Sequence, residues 1–172
     1  MTTAATEIRY LHESHPQGTE TYQIAPGILW ARLPLPFRLN HVNVWLLRDA
    51  DGWTIIDTGA DTADARAVWE ALFTGPLADA RVNRLVATHG HTDHVGLSGW
   101  LTERAGDVPF VSTLGEWMSA QVRIWDAQSK SATDGAQRFL TAHGCDDDTL
   151  ASYRADRERT HALLGPLPIT LT

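Results

Sequence analysis

The sequence holds a single cysteine, Cys145, so no disulfide can form within the chain. A reducing compartment is the matching expectation. It has no apolar run approaching the ~18 residues of a membrane helix. Its first stretch, Met1–Glu20, is polar and has no apolar signal core. The expectation is a soluble, cytoplasmic protein with no membrane partner. Basic residues are outnumbered: 14 Lys and Arg stand against 21 Asp and Glu, a net charge of -7. A nucleic-acid surface needs clustered Lys and Arg to neutralise phosphates. No such cluster occurs, so no nucleic-acid partner is expected. Internal repeats and low-complexity segments are absent as well.

What remains is a chain of 172 residues, one domain's worth, with an ordinary hydrophobic fraction of 43%. Its seven tryptophans are many for this length and are expected in a core or a pocket wall. Residues 1–20 read as a loose lead-in. Pro16 and Gly18 argue against a helix there, and His12 and His15 read as solvated histidines. Thr21–Leu35 reads as one or two strands punctuated by Pro26-Gly27. Val42–Leu47 and Trp53–Asp57, joined by the turn Asp49-Ala50-Asp51-Gly52, read as a β-hairpin apolar on both faces. A helix is predicted from Thr62 to Phe73, because Ala65, Val68, Trp69, Leu72 and Phe73 recur at helical spacing. A strand over Val82–Ala87, a helix ending near Ala105 and a short strand at Pro109–Ser112 complete an α/β order. From Leu114 the pattern turns helical over 114–130, 134–145 and 147–164, with Gly135, Gly144 and Gly165-Pro166 as punctuation. Trp117, Val122 and Trp125 are expected to share one face.

The chemistry concentrates in Thr88-His89-Gly90-His91-Thr92-Asp93-His94-Val95-Gly96, between a strand and a helix. His89 and His91 are two apart, and in extended chain such side chains point the same way. Asp93 and His94 fall on the first turn of the following helix and project differently, so they can serve a second centre. Mixed imidazole and carboxylate ligation suits zinc, iron or manganese. Imidazole binds metal only when neutral, so affinity should fall below about pH 6.5.

This stretch resembles the His-x-His-x-Asp-His signature of the metallo-β-lactamase fold superfamily. Ile55-Ile56-Asp57-Thr58-Gly59 resembles the superfamily's other N-terminal motif, with the hairpin before it and one helix and strand between the two. The resemblance covers roughly residues 22–112. It implies the N-terminal half of an αββα sandwich. It also implies that His89 and His91 hold one divalent metal, that Asp93 and His94 hold a second, and that Asp57 orients ligands without binding metal. Zinc is the first expectation, with iron or manganese as alternatives. His91 stands where the flavo-diiron reductases of the superfamily usually carry Glu, and His94 where one group of β-lactamases lacks a histidine ligand. Glyoxalase II-like and lactonase-like hydrolases fit better, with some sulfatases and zinc β-lactamases still open. A nuclease is disfavoured by the charge. The implied chemistry is a metal-bound hydroxide attacking a small ester, thioester or lactone, with Asp93 orienting or accepting a proton of the water.

The superfamily's second half normally supplies three more ligands, and none of His12, His15, His41, His143 or His161 lies in a matching context. The chain is therefore expected to be part of a longer parent, a natural short form being the alternative, and to be active only in that parent. A non-catalytic metal-binding or interaction fragment is the competing expectation. The expected division is a lead-in at 1–20, an α/β half-domain at 21–113, a helical insertion at 114–165 and the start of a second half at 166–172. His41, Trp117 and Trp125 are candidates for the pocket wall, each with a purely structural role as the alternative. The helical insertion, or the sheet face left uncovered, is a candidate homodimer contact.

Overall fold

The computed structural model of the protein describes residue 10 and residues 12–128 and 130–168. The expected start of a second half at 166–172 falls mostly outside them. Six strands form one sheet in chain order: β1 (Tyr22–Ala25), β2 (Ile28–Pro34), β3 (His41–Arg48), β4 (Trp53–Ile56), β5 (Val82–Val86) and β6 (Phe110–Val111). The first four pair antiparallel, and β4–β5 and β5–β6 pair parallel. The change follows from the connections. Short loops join the antiparallel strands, whereas parallel neighbours need a helical crossover.

The first crossover is α1 (Ala63–Thr74), capped by Thr62, whose hydroxyl accepts from the Ala65 N–H at 3.1 Å. It buries Ala65, Val68, Trp69 and Leu72 against the sheet. The sheet offers it Ala31, Leu33, Val42, Val44, Leu46, Ile55 and Leu85, all buried. Trp69 is 0% exposed, and burying so large a side chain stabilises by about 2–3 kcal/mol. The hairpin is buried mainly on one face, Thr54 being the one buried residue of the other. The opposite face carries Trp30 stacked on Trp45 at 6.1 Å, beside Leu47 and Ile56, all partly exposed.

The helix expected after the metal motif is two pieces, α2 (Thr92–Val95) and α3 (Ser98–Arg104). The break has a cause at Leu97, whose N–H leaves the helical ladder to reach the Gly59 carbonyl at 3.1 Å. Three helices follow: α4 (Leu114–Gln128), α5 (Lys130–Ala142) and α6 (Asp147–His161). Gly135 lies inside α5 and does not break it, since a helical glycine costs only about 1 kcal/mol against alanine. α4 joins the main core through Trp117, Ala120 and Ile124. That corrects the expected helix face: Val122 and Trp125 point away, 51% and 78% exposed. Among the described residues, no helix is long and apolar enough to cross a membrane.

Candidate metal centre

The motif residues sit past the C-terminal ends of two neighbouring parallel strands. Asp57 follows β4, and Thr88 to His94 follow β5 through the first turn of α2. This end of a parallel sheet is where α/β proteins place their sites, because the loops there share one crevice. The two loops are stitched together. Asp57 N–H donates to the Val86 carbonyl at 2.8 Å, and both the N–H and the hydroxyl of Thr58 donate to the His94 carbonyl, at 2.9 and 3.0 Å. Trp69 Nε1 donates to the Thr58 carbonyl from beneath at 2.8 Å.

Asp57 is 4% exposed and adopts a left-handed backbone, φ 64°. Asp tolerates that region better than most residues, yet it remains sparsely populated and is commonest at functional sites. Asp57 Oδ1 accepts from the Thr88 N–H at 2.8 Å, and Oδ2 faces the Thr88 hydroxyl and His94 Nδ1, each at 2.8 Å. The buried carboxylate thus fixes both the strand end and the ring of His94.

The ligand candidates come together in pairs. His89 Nε2 and His91 Nδ1 share a hydrogen bond at 3.0 Å, and His94 Nε2 stands 3.4 Å from Asp93 Oδ2. The His89 and His94 rings are 4.0 Å apart. Two donors sharing a tetrahedral zinc stand roughly 3.3 Å apart, given Zn–N distances of 2.0–2.1 Å. Both pairs are within a few tenths of an ångström of that spacing, and the donor set fits a divalent metal. Among the described residues, no three such donors converge on one point as they stand. The hydrogen bonds explain why: each donor is turned toward its neighbour.

The charges are set by these contacts. Burial holds the His89 imidazole below its ordinary range, and the charges of His94 and His91 push the same way. For His94, burial pulls down, but its bonds to Asp57 and Asp93 and their charges outweigh it and raise the pKa to about 9. Asp93 is held low, first by the His94 bond. The expectation of metal affinity weakening below pH 6.5 therefore changes for His94. Its proton persists to a higher pH, and a metal must displace it.

Beside the motif lies a cavity of about 390 Å³ lined by Phe37, His91, Thr92, Asp93, Arg123 and Thr160. The residues expected on the pocket wall are elsewhere. His41 lines another cavity with His15, Arg32 and Asn40, and Nδ1 pairs with Asn40 Oδ1 at 2.8 Å. Trp117 is half-buried, its Nε1 donating to the Pro168 carbonyl at 2.9 Å. Trp125 faces out. Sequence reasoning missed Thr88, Glu116 and Arg123. Glu116 Oε2 accepts from the Gly90 N–H at 2.6 Å, and Arg123 Nη1 donates to the Gly90 carbonyl. Glu116 and Arg123 are seven apart on α4, two helical turns, and so share a face. That spacing was a signal, but it named no target.

Residues 38–155 match the family model described as the Metallo-beta-lactamase superfamily. The chain belongs to that superfamily. Among solved structures it is similar to a beta-lactamase domain protein from Burkholderia ambifaria, at 33% identity and TM-score 0.77, covering 93% of this chain and 45% of the other. It is also similar to a metallo-beta-lactamase family protein from Thermus thermophilus, at 29% identity and TM-score 0.59, covering 86% of this chain and 47% of the other. Among curated proteins, a probable metallo-hydrolase of Bacillus subtilis, YqjP, is 37% identical over 71 residues, which are 41% of this chain and 22% of that one. The chain thus spans less than half the length of the relatives it matches. The fold is the mixed α/β expected from the motifs.

Proposed function

We propose that this chain carries metal ligands of a hydrolase acting on a small ester, thioester or lactone, with turnover assigned to the whole protein. One observation carries the reading. Two donor pairs, His89 with His91 and Asp93 with His94, face each other at near metal-bridging separations, with the buried Asp57 behind His94. His89 and His91 would hold one divalent ion, and Asp93 and His94 a second. Zinc suits this mixed imidazole and carboxylate set, and iron or manganese are the alternatives. Bound there, such ions supply Lewis-acid activation of water and polarisation of a carbonyl.

The chain's own residues orient the reactants. Asp57 accepts a hydrogen bond from the Nδ1–H of His94 and so leaves Nε2 toward the metal side. Thr88 holds Asp57 through both its N–H and its hydroxyl. The Asp93 carboxylate, kept ionised by His94 and bordering the cavity, would orient a water and accept its proton. Phe37 offers the substrate an apolar wall.

Metal analysis of the purified whole protein, alongside turnover of an ester, a thioester and a lactone, tests the proposal. Two tightly held ions are expected, with turnover lost in His89→Ala. One loosely held ion and no turnover of any substrate would overturn the catalytic reading and leave a non-catalytic metal-binding or interaction role.

A further inference from the structure

The cavity beside His91 and Asp93 contains a cation that the metal chemistry does not use. Arg123 reaches it from α4 and spends Nη1 on the Gly90 carbonyl. A guanidinium carries five N–H donors in a planar fork, so the others remain available to a ligand. Among the described residues, the ion pairs of the helical segment are Arg157 with Asp126 and Arg159 with Asp156, and Arg123 is in neither. The one carboxylate lining the cavity, Asp93, is turned to His94.

A structural duty alone does not explain the choice of residue. Gly90 is already held at its N–H by Glu116. Its carbonyl needs one donor, which any hydroxyl, amide or ammonium could give. A guanidinium is the side chain suited to a planar anionic group, because it offers two parallel N–H bonds to a carboxylate or phosphate. The cavity, at about 390 Å³, lies at the small end of the roughly 300–1,000 Å³ typical of small-molecule sites.

We propose that Arg123 anchors an anionic group, a carboxylate or a phosphate, on the non-reacting end of the substrate, so that the substrate class is a small charged ester, thioester or lactone. The inference rests on the cavity being the substrate site of the hydrolase proposed above. Arg123 is then a specificity-determining residue. It sits on the helical segment, while the proposed metal ligands sit on the loop after β5 and the first turn of α2.

The test reads binding directly. The Nε–H resonance of Arg123 in the ¹⁵N-labelled chain is assigned by its disappearance in Arg123→Lys. Glutarate, inorganic phosphate and neutral glutaramide are then titrated separately, with and without zinc. A saturable shift with at least one anion and none with glutaramide is expected, and the tighter anion identifies carboxylate or phosphate as the source. Arg123→Gln should weaken that anion by about 10- to 100-fold, the worth of a charge-assisted hydrogen bond. Glu116→Gln, which loosens the same grip on Gly90 from the other side, should weaken it less than about 3-fold if the guanidinium binds the anion itself. Should Arg123→Gln fail to fold, Arg123→Lys keeps the charge and should retain part of the affinity. No saturable shift with either anion, or equal losses in Arg123→Gln and Glu116→Gln, overturns the proposal. Failure of zinc binding, measured by calorimetry on the same samples, would instead sink the metal-hydrolase reading.

Discussion

Replacing Asp57 with asparagine keeps the shape of the side chain and removes its charge. In the native site, Asp57 Oδ1 accepts from the Thr88 N–H and Oδ2 faces His94 Nδ1 at 2.8 Å. Asparagine can keep the first bond with its oxygen. Its amide then points at Nδ1 and requires an unprotonated acceptor there. An opposite charge in contact moves a pKa by about 1–3, so His94 should fall from about 9 to roughly 8 or below. The imidazole would also favour the proton on Nε2, the nitrogen needed by a metal. Zinc affinity should therefore drop about 10- to 100-fold. The stability signature has a definite sign. The folded His94 pKa lies above the unfolded value near 6.5, so its contribution is fully present below about pH 6.5 and disappears as pH rises through about 9. The gap in urea midpoint between native and Asp57→Asn chains, both metal-free, should be wide near pH 6 and much narrower above about pH 9. Histidine ring titration by NMR checks the pKa, and calorimetry checks the zinc affinity. A His94 midpoint still near 9 in the variant would refute the assignment of Asp57 as its partner.

Zinc binding near pH 7 should release a proton from His94, visible as a buffer-dependent binding enthalpy, and affinity should rise with pH until about 9. Gly90→Ala would set a Cβ 2.5 Å from the Glu116 carbonyl oxygen; forcing α4 away and losing its grip on Gly90 should cost about 2–4 kcal/mol by denaturant unfolding. Trp69→Phe removes the bond to the buried Thr58 carbonyl and should cost about 1–3 kcal/mol, with the loop at Asp57 showing faster amide exchange. Removing zinc from the loaded chain with a chelator should lower stability by about 2.7 kcal/mol where zinc stood at 100 times its dissociation constant.

Much of the fold was readable in the sequence because the signals were local. The β3–β4 hairpin, α1 and β5 emerged with nearly the expected bounds. The helix running to Ala105 emerged as α3, but its separation from α2 was not legible, because Leu97 bonds to Gly59, 38 residues earlier, and no local pattern reports such a contact. Trp117 and Trp125 are chemically alike, and only the docking of α4 turns one inward and leaves the other 78% exposed. His41 went to a different cavity, beside His15, Arg32 and Asn40, which no local pattern reports.

The spacing of His89, His91, Asp93 and His94 was determined by the sequence alone, since backbone geometry dictates which way near neighbours point. The tertiary structure decided how those side chains are held and charged. Asp57 reaches His94 across 37 residues, and Glu116 reaches Gly90 across 26. The physical reason is the range of the forces involved. Backbone stereochemistry acts over a few residues and can be read from them, whereas a raised histidine pKa or a gripped peptide depends on groups that only packing brings within hydrogen-bond distance.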